Sequence, residues 1–241
     1  MLGIRDCARR ARLGYSWDQN NEGDLTLSNQ APPAATPRLR RTQAERSAST
    51  RARLVAAAVD ALYRLGYPAT STVLVADLAR VSRGAMLHQF ATKAALMAAV
   101  VEASYAADIE AYRIAIAAVP DPGEQLLVIA EVAWAQFRAP TGIAQTEIWM
   151  ATRSDPELAA AVLPIHAAIF ESSLTAQAWR FAACGITDAS VSDGLLYHNV
   201  ALLRGLALEY LLGTPEAALR PAVDAMKKAL RDTITPTGKR Q

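Results

Sequence analysis

Three times in its second half the chain repeats one piece of punctuation: Asp121-Pro122-Gly123-Glu124, Asp155-Pro156-Glu157 and Thr214-Pro215-Glu216. A capping oxygen, a proline and an acid in succession are the chemistry of a helix start. Proline lacks a donor that the first turn would leave orphaned anyway, and the carboxylate suits the positive end of the helix dipole. No segment makes a comparable case for a strand, because runs of β-branched residues are scarce and Ala and Leu dominate. The expectation is an all-α fold, with helices near 123–138, 143–153, 156–182, 188–212 and 215–233. Pro164 should kink or split the third of these.

The first half obeys the same logic with tighter spacing. From Arg46 an amphipathic period places Leu54, Ala58, Ala61, Leu62 and Leu65 on one face, and Gly66 can close that helix. Thr70, Ser71 and Thr72 offer caps for a short second helix, VLVADLA. After a turn at Arg80–Val81, Ser82 can cap a third helix, RGAMLHQF, and Thr92 a fourth that runs to about Val119. Residues 72–90 thus read as a helix-turn-helix unit, whose second helix enters the major groove of DNA. On a helical wheel at about 100° per residue, Met86 and Phe90 form one edge, expected to pack on Leu78, Val75 and Leu62. Gly84, Ala85 and His88 face away from that edge, with Leu87 and Gln89 on its flanks.

Such a face suits nucleic acid. Gly84 and Ala85 let backbones approach, Arg83 can pair with guanine, Gln89 with adenine, and His88 with a phosphate or base edge. Ser82, Thr72 and Lys93 stand at helix starts, where free N–H groups attract phosphate, and Thr70 is an alternative to Thr72. Arg38, Arg40, Arg41 and Arg46 form a basic arm ahead of the first helix. Charge supports this division. Residues 1–93 hold 14 Lys and Arg against 7 Asp and Glu, whereas residues 94–241 hold 11 against 16. A basic front and an acidic rear indicate a polyanion-binding part joined to a part with another task.

Residues 50–101 closely resemble the N-terminal domain of the TetR/AcrR family of transcriptional regulators. The match includes the basic lead-in, the G-Y-x-x-T-S-T loop, the V-S-R-G start of the recognition helix and the F-x-T-K link. The resemblance implies a homodimer, a double-stranded DNA operator with two half-sites, and a C-terminal helical domain that often senses a small molecule. Two positions depart from the pattern. Leu87 stands where many members have a DNA-contacting Tyr, and Arg80 replaces the usual turn glycine.

The expected organisation is a disordered extension over 1–37, a three-helix DNA-binding domain over 38–93 and a multi-helix ligand-binding and dimerisation domain over 94–241. Between Asp193 and Gly213 the only formal charges are Arg204 and Glu209. A helix so apolar must be covered on nearly all sides. Together with the last helix (Leu219, Val223, Met226, Leu230) it is expected to form core and a four-helix dimer face. Trp134, Phe137, Trp149, Met150, His166, Phe170 and Tyr197 are the candidate walls of an effector site for a mostly apolar ligand. Cys7 and Cys184 are too few for a disulfide framework or zinc site, so neither metal nor cofactor is expected. No uninterrupted apolar run indicates a membrane span and no secretory signal opens the chain, which points to the cytoplasm. The preferred reading is a homodimeric repressor released by a small apolar ligand. A helical ligand-transforming enzyme and a non-specific architectural DNA binder are the alternatives.

Overall fold

A computed structural model describes residues 42–235, and these carry nine α-helices and no strand. The extension over 1–37, Cys7 and the arginines 38, 40 and 41 lie outside the described residues. The helices are α1 (Gln43–Ala69), α2 (Thr72–Leu78), α3 (Arg83–Gln89), α4 (Lys93–Ile116), α5 (Pro122–Phe137), α6 (Pro140–Ala151), α7 (Pro156–Ala183), α8 (Ala189–Leu211) and α9 (Glu216–Ile234).

Side-chain caps explain most of the starts. Ser71, Ser82 and Thr92 accept from the amides of Leu74, Ala85 and Ala95 at 3.1–3.2 Å, and Asp121 and Asp155 do the same for α5 and α7. The first helix begins earlier than its apolar period suggests, because Thr42 and Glu45 bond each other's backbone in a reciprocal capping box. Arg46 therefore belongs to the first turns of α1 and not to a flexible arm. Gly66 leaves helical geometry at φ 74, ψ 173, in keeping with its expected role in closing the helix. Of the kink or split expected at Pro164, the split does not occur, because α7 continues through it for 28 residues. One capping expectation fails. Thr214 does not cap α9, since its hydroxyl goes to the Glu209 carboxylate and Pro215 holds the cap position without a side-chain bond.

The largest hydrophobic cluster joins Leu54, Ala58 and Leu62 of α1 with Val75, Met86, Phe90, Leu96 and Val100, and continues into Ile148 of α6 and Leu158 and Val162 of α7. The front helices thus share one core with the rear ones. Leu65 and Leu78 are exposed instead of joining it. A second cluster sets Trp134 of α5 against Leu203 of α8 and Leu219, Val223 and Met226 of α9, and a third adds Leu127, Phe181 and Leu230. The apolar stripe of α9 is therefore used up inside the protomer, against α5, and is not free to form a dimer face. An ion-pair group reinforces that contact: Glu131 accepts from Arg220 and Lys227, both at 2.8 Å. At the α5–α6 junction Gly142 is indispensable, because a Cβ there would lie 2.2 Å from the Gln136 carbonyl oxygen.

Candidate nucleic-acid interface and effector cavity

Helix α3 is seated by Met86 and Phe90, both buried, and presents Ser82, Arg83, Gly84, Leu87 and His88 to solvent. Leu87 is 60% exposed, an apolar side chain on an outward face. A Cβ added at Gly84 would meet no atom within 4 Å, so nothing in the protomer requires glycine there. Ala85 is half-buried beside it.

The turn before α3 carries the chain's departure from glycine as visible strain. Arg80 has φ 52, the only positive φ among the described residues other than glycines, and left-handed backbone is costly for a residue with a Cβ. Arg53 of α1 secures the turn by donating to the carbonyls of Ala79 and Arg80, the latter at 3.0 Å. The Arg51 guanidinium lies 4.5 Å from the centroid of the Phe90 ring. Together these contacts fix the pitch of α3 against α1.

Two expected DNA contacts have partners inside the protein. Gln89 donates from Nε2 to the Ser47 hydroxyl at 2.8 Å. Lys93 donates from Nζ to the Tyr67 carbonyl at 2.7 Å and lies 3.6 Å from the Tyr67 ring centroid; burial lowers its pKa, with Asp155 opposing the shift. Thr70 is fully buried and bonded to the Gly66 carbonyl, which removes it as a phosphate contact. Thr72 is half-buried, and Arg46 is exposed on α1.

Tyr67 is the hub between front and rear. Its hydroxyl donates to Asp155 at 2.6 Å and its amide to Glu147 of α6 at 2.9 Å. Burial and the neighbouring Asp155 carboxylate raise its phenol pKa. Sequence reasoning missed this junction, because its partners are 80 and 88 positions away.

Between α4, α5, α7 and α8 lies a cavity of about 970 Å³ of atom-free space, part of it open to solvent. Of the seven expected wall residues it takes Phe137, His166 and Phe170. The other four do not line it. Trp134 is completely buried in the second core cluster. Trp149 packs on the first cluster and against the His166 ring, centroids 4.7 Å apart. Met150 is 61% exposed, and Tyr197 stacks on the outer side of Phe170 at 4.3 Å. The polar lining was not foreseen: Tyr105, Asp108 and Tyr112 from α4, Gln145 from α6, Gln177 from α7, and Asn199 and Arg204 from α8. Burial pushes the Asp108 carboxyl up to about 6 against the opposing pull of its bond to Gln145. Burial and the Arg204 charge lower the His166 pKa. Tyr105 Oη, His166 Nδ1 and Gln177 Oε1 are buried without hydrogen-bond partners among the described residues.

Outside this cavity α7 and α8 leave an apolar surface uncovered. It includes Leu163 and Trp179 on α7, Val191, Tyr197, Leu208 and Leu211 on α8, and Leu212 at the C-cap of α8. Among the described helices α7 alone is by itself long and apolar enough to cross a bilayer, and little of its apolar window is buried. Leu158, Val162 and Phe181 nevertheless fix one side of α7 in the core, and its Arg180 donates to Gln125 of α5 at 2.8 Å.

Residues 54–100 match the model for bacterial regulatory proteins of the tetR family. The HTH-type transcriptional regulator CymR of Pseudomonas putida is 46% identical over 66 residues, 27% of this chain and 32% of that one, so the match spans about a third of the relative's length. The fold is shared with a protein of Pseudomonas aeruginosa PAO1 at TM-score 0.60 and 23% identity, covering 80% of this chain and 96% of the other. It is also shared with the multidrug binding protein EbrR complexed with ethidium, at TM-score 0.53 and 26% identity over 78% and 99% of the two chains. By their names these relatives are a transcriptional regulator, a putative transcriptional regulator and a multidrug binding protein. Residues 54–100, which include α2 and α3, thus carry the sequence pattern of the tetR family of bacterial regulatory proteins, and the all-helical fold around them is one that these solved structures share.

Proposed function

We propose that the protein is a homodimeric repressor that binds a two-half-site DNA operator and is released by a small molecule in the α4–α5–α7–α8 cavity. The observation that carries this reading is the outward face of α3. Arg83, Gly84, Leu87 and His88 are exposed on a helix locked from behind by Met86 and Phe90, within the segment that matches the regulatory family. Arg83 reads a base edge, Gly84 and Ala85 admit the sugar–phosphate backbone, Leu87 contacts a thymine methyl, and His88 and Ser82 bond phosphate or a base edge. Thr72, Arg46 and Arg41 add phosphate contacts. Gln89 and Lys93 act differently from the other donors: their bonds to Ser47 and Tyr67 make them struts that set the angle of α3 and the start of α4.

Dimerisation follows from the uncovered face of α7 and α8. Leu208 and Leu212 continue a stripe with Gly194, Tyr197, Ala201 and Gly205 along one side of α8, all exposed. A second copy packing there forms a four-helix bundle, covers the apolar side of α7 and sets the distance between the two α3 helices. An effector shifts the population of DNA-competent dimers only as far as it binds the other state more tightly. The Tyr67–Glu147–Asp155 junction is the physical route from cavity to α3. EbrR in its ethidium complex is a precedent for a small ligand in this fold. The site of action is the cytoplasm, where the operator is.

Gel-shift competition with Arg83→Ala and Lys93→Ala tests the division of roles. Arg83→Ala should lose about 1–3 kcal/mol on the operator and little on bulk DNA. Lys93→Ala should lower thermal stability along with affinity, because it removes an internal bond. Equal losses on every DNA for Arg83→Ala would contradict base reading by α3.

A further inference from the structure

The cavity holds one cation and one carboxylate, and the two do not answer each other. Asp108 on α4 has a partner in Gln145 of α6. Arg204 on α8 makes neither an ion pair nor a hydrogen bond among the described residues; its guanidinium carbon lies 5.6 Å from the centroid of the Phe137 ring, and its charge is felt at His166. The two groups also differ in how they bear burial. A carboxyl can take up a proton, and Asp108 is shifted in that direction. A guanidinium stays charged at any pH a protein survives. A desolvated cation without a counter-charge is costly, and the cost is relieved when an anion arrives. Arg204 faces a space with aromatic walls, beside His166, whose lowered pKa leaves a neutral imidazole with an unpartnered Nδ1.

We propose that the cavity takes an amphiphilic organic monoanion, with its carboxylate on Arg204 and its apolar body against Phe137 and Phe170. The proposal rests on the effector-responsive reading above and names the chemistry of that effector. Burial makes the headgroup contact selective. A carboxylate gains a charge-assisted, two-point bond to the guanidinium, an isosteric amide gains less, and an ammonium meets like charge. The body is held without direction by the aromatic and aliphatic walls, so the headgroup decides specificity and the hydrocarbon decides fit.

The test uses the full chain and three probes with one skeleton: phenylbutanoate, phenylbutanamide and phenylbutylammonium. Calorimetry near neutral pH should show the carboxylate binding at least about tenfold more tightly than the amide, and the ammonium most weakly. Arg204→Met should abolish the preference for the carboxylate over the amide, with a much smaller loss for the amide, and an unchanged far-UV circular dichroism spectrum and melting cooperativity certify the fold. Arg204→Lys should keep part of the preference. If the Met variant does not fold, the order of the three probes on the unaltered chain still decides the matter. An ammonium that binds best and loses its advantage in Asp108→Asn overturns the proposal, as does equal affinity for all three or binding of none. Release of operator DNA is measured in parallel. A carboxylate that binds without changing operator affinity contradicts the effector reading and leaves the anion site standing. Release driven by the ammonium keeps the effector reading and sinks the anion.

Discussion

Helix α3 and the α7–α8 pair both expose apolar side chains next to polar ones, yet they do so for opposite reasons. In α3, seven residues between a serine cap and a buried phenylalanine are turned outward by a rigid support, and the exposed set is small and chemically mixed. In α7 and α8 the exposed apolar residues are many and spread over two long helices with few charges, the kind of surface that an interaction partner covers. On the reading proposed above, one face meets a polyanion and the other a second copy of the chain. Exposure alone does not distinguish them; the support behind each face does.

The largest effect that can break this comparison is at the second face. Leu208→Glu should cost about 2 kcal/mol or more of dimer stability, the scale of an interface hot spot, without unfolding the protomer. Sedimentation should then show a monomer, and operator affinity should collapse with it. A dimer that survives this change would place the contact elsewhere.

Next in size is the cavity carboxyl. Asp108 binds its proton more tightly in the folded state, at about 6 against an ordinary 3.8. Its favourable contribution is therefore present below the ordinary value and is lost as pH rises through the folded one. Asp108→Asn should raise stability above that pH by about 1–2 kcal/mol after allowance for solvent screening, and change little near pH ~4. Thermal melts across pH would show the gap open with rising pH; a constant gap would contradict the burial argument.

Two smaller changes sharpen the account of α3. Arg80→Gly should stabilise the fold by about 1 kcal/mol, because it relieves left-handed backbone at a residue with a Cβ. Gly84→Ala should separate stability from function. It should add about 0.5–1 kcal/mol of helix propensity in denaturant titrations, since a Cβ there meets nothing, yet weaken operator binding where the backbone must come close. A variant that is stabler and binds as well would remove the reason for glycine at this position.

How far the sequence could be read follows from the range of each interaction. Caps and the period of α1–α4 act within a few residues, so Ser82, Thr92, Met86 and Phe90 could be assigned from local pattern alone. The positions and order of the rear helices were legible for the same reason, through Asp121 and Asp155. Leu65 and Leu78 were misjudged, because a helical period marks an apolar face but not which of its residues a distant helix covers. The engagement of Gln89 with Ser47 and of Lys93 with Tyr67 spans 42 and 26 positions, and no local pattern announces either. The cavity was half legible: aromatic residues drew attention to Phe137, His166 and Phe170, while the polar groups that give it chemistry come from four helices. Arg204 was visible as the one arginine or lysine of an apolar helix, which was the available signal for the role proposed for it.

The central claim is that α3 reads DNA in a symmetric pair. Selection of fragments from random DNA by the full chain tests it most directly. The account predicts an enriched two-fold symmetric motif, its half-sites about one helical turn or a multiple apart, with preference at one base pair per half-site relaxed in Arg83→Ala. Recovery of no motif, or of a motif without symmetry that Arg83→Ala leaves intact, would contradict it.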